Sequence, residues 1–263
     1  MRKAIAASFG QARQPPQANP FARLTLRRTR RGYVIEGGRE PDSTDGTLAD
    51  GLRSLRYQAT LRLMDARPDL VWLHAAAVAR DGRALLIVGP GGSGKSSLAT
   101  ELVDMGYCYL GDDVIPVDPV SGTAYPFPVT PAVRSAPGGR LPRGAVATLP
   151  RVEVELDATR VASAPVPVGL VVFPAYTGRL VEMRRWPPAR TALDLLRHCL
   201  SFDRHGEQTV RALCPLAATW PAIGLRFDDA GRAAAALAAA VADGRAAARP
   251  ERIPYVTALA RPR

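Results

Sequence analysis

The fold is decided by one stretch, Ala84-Leu-Leu-Ile-Val88-Gly89-Pro-Gly-Gly-Ser-Gly94-Lys95-Ser-Ser97. Its first five residues are all apolar and predict a fully buried β-strand, and a helical pattern runs from Lys95 to Met105. Between them, Gly89 to Ser96 matches G-x-x-x-x-G-K-[ST] at every specified position. A buried strand that leads through a glycine loop into a helix is typical of phosphate-binding α/β folds.

The side chains of this motif suit phosphate chemistry. Glycines let successive backbone N–H groups curve around phosphate oxygens, and the helix N-terminus adds partial positive charge. Lys95, one of two lysines among 35 basic residues, would reach the β- and γ-phosphates, and the Ser96 hydroxyl would bind Mg²⁺. The predicted nucleotide-binding residues are Gly89, Gly91, Gly92, Ser93, Gly94, Lys95, Ser96 and Ser97. The alternative is a glycine-rich turn that binds nothing.

An acidic pair, Asp112 and Asp113, follows the next predicted strand, Tyr107 to Leu110. Because the carboxyl ends of parallel strands meet the ligand at one edge of a sheet, these carboxylates should face the phosphates. One would bind Mg²⁺ and the other would accept a proton from a hydroxyl nucleophile. The alternative is a solvated turn held by side-chain hydrogen bonds.

His74 lies in an apolar run from Val71 to Val78 that predicts the strand before the glycine loop. A neighbouring strand would place its imidazole beside the γ-phosphate. A lone histidine in such a run is also typical of a core residue that hydrogen-bonds to backbone, so both interpretations stay open.

Further elements flank this block. Strands are predicted at Val168 to Phe173 and in short pieces between Phe21 and Gly37. Helices are predicted at Thr47 to Arg67, Arg190 to Cys199, Thr209 to Ala218 and Ala230 to Ala248. The expected fold is therefore α/β, with a mixed or parallel sheet flanked by helices and a small N-terminal strand-helix extension.

Composition excludes several classes of protein. The 263 residues are 47% hydrophobic, yet the longest apolar runs fall short of the roughly 18 residues of a membrane-spanning helix. The three cysteines lack metal-ligand spacing, which favours incidental thiols in the cytoplasm. The formal charge of +11 comes mostly from scattered arginines, a pattern that argues against nucleic acid as the partner.

Leu73-His74-Ala75-Ala76, Leu86-Ile87-Val88-Gly89 with the glycine loop, and Tyr109-Leu110-Gly111-Asp112-Asp113 resemble the catalytic domain of HPr kinase/phosphorylase. The resemblance covers roughly residues 70 to 118. Beyond that, Val171-Val172-Phe173 and the closing helices resemble shorter HPr-kinase-related proteins, including kinases of lasso peptide precursors. The resemblance implies ATP and Mg²⁺ as cofactors, serine phosphorylation, Asp112 with Ser96 as Mg²⁺ ligands, Asp113 as general base, and His74 and Lys95 as further catalytic residues.

The resemblance also sets the domain prediction. We expect a disordered lead-in over 1–20, the extension over 21–69, a P-loop kinase domain over 70–250 and a tail over 251–263. The family signature Glu-Val-Arg-Gly-Leu-Gly is absent after the acidic pair, and Pro126 to Arg140, within the proline-rich segment 126–150, is the corresponding region. The acceptor site should therefore differ, with Arg134 as the first candidate for a contact to phosphate or to an acidic acceptor.

Three functions remain at this stage. The first is an ATP-dependent kinase that phosphorylates a hydroxyl, by preference serine, on a peptide or protein acceptor such as a lasso-type precursor. The second is a small-molecule kinase on the same scaffold, and the third is an ATP-binding module without turnover. The expected partner is the peptide acceptor, with no membrane association; a homo-oligomer is left open.

Overall fold

The structure is a computed structural model, and it describes residues 22–38, 42–44, 46–127, 129–134, 151–154, 156–178, 181–244 and 246. The predictions for the lead-in, the tail and most of the 126–150 segment lie outside these residues. The chain divides into two compact units, residues 1–70 and 71–263.

The N-terminal unit is a small antiparallel sheet with one helix. Its strands are β1 (Thr25–Arg28), β2 (Tyr33–Glu36) and β3 (Asp42–Thr44), in that order, and helix α1 runs from Leu48 to Ala66. Thr47 and Asp50 form a capping box that fixes the start of α1. Leu26, Ile35 and Leu55 are buried between sheet and helix. The predicted strands and helix are both present here.

The second unit contains a mixed nine-stranded sheet. Its main path runs β4 (Val71–Leu73), β8 (Ile115–Asp118), β9 (Thr123–Ala124), β12 (Val166–Tyr176), β6 (Arg83–Val88), β5 (Ala75–Arg80) and β7 (Cys108–Gly111). Strand β14 (Ala222–Phe227) pairs in parallel with β12, and β13 (Glu182–Arg185) pairs with β14. A separate ribbon joins β10 (Ala132–Arg134) to β11 (Arg151–Glu153).

Helices cover both faces of this sheet. One face packs on α3 (Pro188–Arg197) and α4 (Phe202–Thr219), and the other packs on α2 (Lys95–Asp104) and α5 (Ala230–Ala242). The alternation of strand side chains divides the core: Ala75, Ala77, Leu86, Val88 and Val171 face α3 and α4, whereas Ala76, Val78, Leu85, Ile87 and Val172 face α2 and α5. The predicted mixed sheet flanked by helices is confirmed.

The structure differs from the sequence interpretation at several points; helix α4, for example, begins at Phe202 rather than at the predicted Thr209. The apolar run through His74 is two strands, because the His74 backbone N–H leaves the sheet ladder and donates to His198 O at 2.7 Å. Strands β13 and β14 were not predicted, since they are short and Gly224 interrupts the apolar pattern of β14. Among the described residues, no helix is long and apolar enough to cross a bilayer.

Candidate phosphate-binding site

The candidate site lies where three strand ends meet. Strand β5 runs antiparallel to both β6 and β7 and lies between them, with Ala75 opposite Val88 and Ala77 opposite Gly111. The start of β5 therefore adjoins the carboxyl ends of its two neighbours. This register brings together His74 before β5, the glycine loop after β6, and the acidic pair after β7.

The glycine loop, residues 89–94, has a conformation that depends on its glycines. Gly92 and Gly94 have φ of +84° and +98°, in the left-handed region. A Cβ on Gly94 would lie 2.5 Å from Phe227 Cζ, and one on Gly89 would lie 2.9 Å from Ser93 Oγ. Gly91 faces open space. Glycine is thus favoured at Gly94 by both backbone and packing, whereas a side chain at Gly89 would have to displace only the Ser93 hydroxyl.

The N-terminus of α2 is available to an anion. Its N-cap is Gly94, which makes no side-chain capping bond, and no acidic residue lies in the first turn. The Ser93 hydroxyl is buried and has no hydrogen-bond partner among the described residues. Unpaired donors at a helix start together with a buried unpaired hydroxyl form the kind of cradle that binds phosphate.

Lys95 begins α2 and is buried, with 5% of its surface exposed. Its ammonium donates to Gly89 O at 2.8 Å and to Pro90 O at 3.2 Å, and lies 3.0 Å from His74 Nε2. A buried ammonium needs such acceptors, since an unpaired charge inside a protein is costly. These contacts hold the lysine against the loop that would carry the phosphates.

His74 is held as a neutral imidazole. Its Nδ1 lies 3.0 Å from Asp113 O, a carbonyl that can only accept, so Nδ1 carries the proton and Nε2 accepts from Lys95. Burial, and then the charge of Lys95, lower the pKa of His74 below its usual 6.5. The imidazole thus connects the lysine to the backbone of the acidic pair.

The two aspartates have different environments. Asp112 is 5% exposed, and its Oδ1 accepts from Asp113 N at 2.9 Å, whereas its Oδ2 is buried without a partner among the described residues. Burial, followed by the charge of Asp113, raises the pKa of Asp112 to about 6. The nearby Ser96 hydroxyl acts in the opposite direction and lowers this pKa. Asp113 is half-buried and has φ of +67°, a left-handed conformation that aspartate tolerates better than most residues.

The donor set around Asp112 fits Mg²⁺. The unpaired Oδ2 and the nearby Ser96 hydroxyl are hard oxygen ligands, which this ion prefers. Within the described part of the chain, no three His, Cys, Asp or Glu side chains converge as a metal cluster. A pair of protein oxygens suits Mg²⁺, because this ion usually completes its shell with water and substrate phosphates.

The segment that would shape the acceptor site begins beside this pair. Phe127 N donates to Leu110 O at 2.8 Å, and Phe127 and Gly111 pair as an isolated parallel β-bridge. A Cβ on Gly111 would lie 2.6 Å from Phe127 O, so glycine is needed for this close approach. The chain then continues to β10, which ends at Arg134; the Arg134 side chain lies outside the described residues.

The predicted site residues are accounted for as follows. Lys95, His74 and Asp113 form one hydrogen-bonded group. Asp112 lies beside Ser96. Among the described residues, no contact places the Ser97 side chain in the site. Sequence reasoning missed Phe227, which packs on Gly94, and His198, whose carbonyl holds His74. Neither has a sequence signal, because each lies more than 100 residues from its partner in the chain.

No family model matches the chain, and no curated protein matches it either. Among solved structures, the chain is similar to one described as "Structure of the Hpr(Ser) kinase/phosphatase from Coxiella burnetii". The TM-score is 0.33 and the sequence identity 15%, over 66% of this chain and 95% of that chain.

Proposed function

We propose that the protein is an ATP-dependent phosphotransferase that transfers the γ-phosphoryl group to a hydroxyl, by preference serine, on a peptide or protein. One observation carries the proposal: the glycine loop, Lys95, Asp112 and Asp113 converge at one sheet edge with a buried, unpaired carboxylate oxygen. A buried carboxylate oxygen without a partner among the described residues favours a ligand at this position, because buried polar atoms are nearly always satisfied.

Nucleotide binding would use the loop and Lys95. The phosphates would accept from backbone N–H groups at the start of α2, and the ammonium would supply a charge-assisted hydrogen bond at the γ-phosphoryl end. Ser96 and Asp112 would hold Mg²⁺, which when bound neutralises phosphate charge. Both carboxylate oxygens of Asp112 would then have partners, which relieves the cost of burying its charge.

Proton transfer would fall to Asp113. The carboxylate of Asp113 would accept the proton of the acceptor hydroxyl as the new O–P bond forms and the β–γ bridging bond breaks to release ADP. His74 is unsuited to that task, since Lys95 already engages its Nε2 lone pair. We therefore assign His74 the role of positioning Lys95 and Asp113.

A peptide or protein acceptor is supported by the order of motifs, which resembles that of HPr kinase. The variable 126–150 segment, whose start is bound to β7 next to Asp112, is where acceptor specificity would be encoded. A lasso-type precursor is one such acceptor.

The test is a transfer assay with γ-³²P-ATP, Mg²⁺ and arrayed serine peptides. We expect label on serine together with ADP formation, and neither with the Asp113→Asn variant as the matched control. Binding of MgATP without ADP formation against any peptide would contradict a peptide kinase. Transfer of the label to a small metabolite instead of a peptide would indicate a small-molecule kinase.

A further inference from the structure

The N-terminal unit carries a basic turn that the proposed chemistry does not use. Arg28 ends β1, and Arg30 and Arg31 lie in the loop before β2; all three are exposed. The turn is ordered, because Thr29 N donates to Gly32 O at 2.8 Å and Gly32 N donates to Thr29 Oγ1 at 3.1 Å. We call Arg28, Arg30 and Arg31 the arginine turn.

The charge of the arginine turn is not neutralised within the described part of its unit. None of the three arginines makes an ion pair with another described residue. Three described acidic side chains of this unit are already engaged: Glu36 binds Arg27 at 2.7 Å, Asp50 binds Thr47 and Arg53, and Asp69 binds Arg67. Three like charges within four residues repel one another, and a negatively charged partner would relieve that repulsion.

The surroundings favour a polypeptide over a nucleic acid. Strand β1 pairs with β2 alone among the described strands, so its outer edge offers backbone groups to an extended segment. The neighbouring Arg27–Glu36 contact is already an arginine–carboxylate pair across this hairpin. Tyr33, the aromatic residue in register with Arg28, packs against the hydrophobic cluster of this unit, so it is not offered beside the arginine turn as a surface on which a base could stack.

We propose that the arginine turn and the β1 edge dock an extended acidic segment of the phosphoryl-acceptor polypeptide. The acceptor identity rests on the proposed function; the acidic docking site does not. Such a site would raise the local concentration of acceptor without touching the reacting groups. Removing it would raise the KM for the acceptor and leave kcat unchanged.

The first experiment measures fluorescence anisotropy of a fluorescein-labelled (Gly-Glu-Ala)₄ peptide, with (Gly-Gln-Ala)₄ and a 12-nucleotide single-stranded RNA as comparisons. The variant carries Arg28→Gln, Arg30→Gln and Arg31→Gln. The control carries Arg53→Gln, Arg197→Gln and Arg211→Gln, which removes the same charge from exposed positions elsewhere. Circular dichroism checks that both remain folded.

We expect the acidic peptide to bind the wild type, and binding to weaken about 5- to 20-fold in the variant, because three exposed and individually weak charge contacts are lost together. The control should stay within about two-fold of the wild type, and the neutral peptide should not bind. Absence of binding to the wild type, equal losses in variant and control, or tighter binding of the RNA to the same arginines would each overturn the inference.

Isothermal titration of MgATP separates this inference from the proposed function. Both triple variants should bind MgATP like the wild type. Loss of MgATP binding in the arginine-turn variant, with binding retained in the control variant, would overturn a purely docking role for the arginine turn. A wild type that binds the acidic peptide but not MgATP would contradict the proposed kinase and leave the docking site standing.

Discussion

Replacing Asp112 by asparagine tests whether this carboxylate is kept in a costly environment for the sake of a ligand. Burial raises its pKa from 3.8 to about 6, so the folded protein retains a proton that the unfolded chain releases between these values. The contribution of Asp112 to the stability of the wild type should therefore fall as pH rises through this window and level off above pH 6. Asparagine does not titrate and removes this dependence.

The magnitude follows from the size of the shift. At about 1.4 kcal/mol per pKa unit, the change from pH 4.5 to pH 7.5 amounts to about 2 kcal/mol. Asparagine keeps the acceptor for Asp113 N, which Oδ1 provides at 2.9 Å, but places an amide where the unpaired Oδ2 was. The cost of that buried amide, about 1–3 kcal/mol, does not depend on pH and cancels in the comparison of the two pH values.

The assay is urea unfolding of wild type and Asp112→Asn in EDTA at both pH values. The variant should gain about 2 kcal/mol relative to the wild type between pH 4.5 and pH 7.5. Asp81→Asn is the control, at a carboxylate that is 93% exposed, and should gain nothing. An Asp112→Asn variant whose stability tracks the wild type at both pH values would refute the argument that this carboxylate is buried at a cost.

Other perturbations report on the remaining parts of the site. Lys95→Met removes the charge from the glycine loop and should weaken MgATP binding about ten-fold or more in isothermal titration; an unchanged affinity would contradict the phosphate-loop assignment. Gly94→Ala, at φ +98° and facing Phe227, should cost about 1–3 kcal/mol in urea unfolding, whereas Gly91→Ala faces open space and should cost far less. His74 has a lowered pKa, so the stability that its neutral form contributes is present above pH 6.5 and lost below it. Urea unfolding of His74→Gln should therefore show no such loss on going from pH 7.5 to pH 5; an equal loss would contradict a buried neutral imidazole.

The sequence predicted the local structure around the glycine loop well, because the signals for it are local. The strand, the glycines and the helix start between Ala84 and Lys95 depend on backbone conformation and short spacings, which a single sequence displays. The helices were predicted for the same reason. The end of α5 was predicted too late, because the alanine-rich pattern of the sequence continues beyond Ala242, where the helix ends.

Contacts between residues far apart in the chain could not be predicted from the sequence. Strand β5 lies between β6 and β7, so the predicted strand-helix-strand unit has a strand inserted into it. The break at His74 arises from a hydrogen bond to His198, 124 residues later in the chain. Such pairings follow from the packing of α3 and α4 on the sheet, which hydrophobic periodicity does not reveal.

The most direct test of the central claim is single-turnover phosphoryl transfer by Asp113→Asn, with the serine peptide identified in the labelled-ATP screen. Asparagine keeps the shape of the side chain and removes the proton acceptor, so transfer should fall about 10²- to 10⁴-fold while MgATP affinity stays within about three-fold. Asp112→Asn, at the proposed Mg²⁺ ligand, should impair both. Transfer at the wild-type rate in both variants would contradict the account, because the acidic pair would then be a turn rather than the catalytic centre.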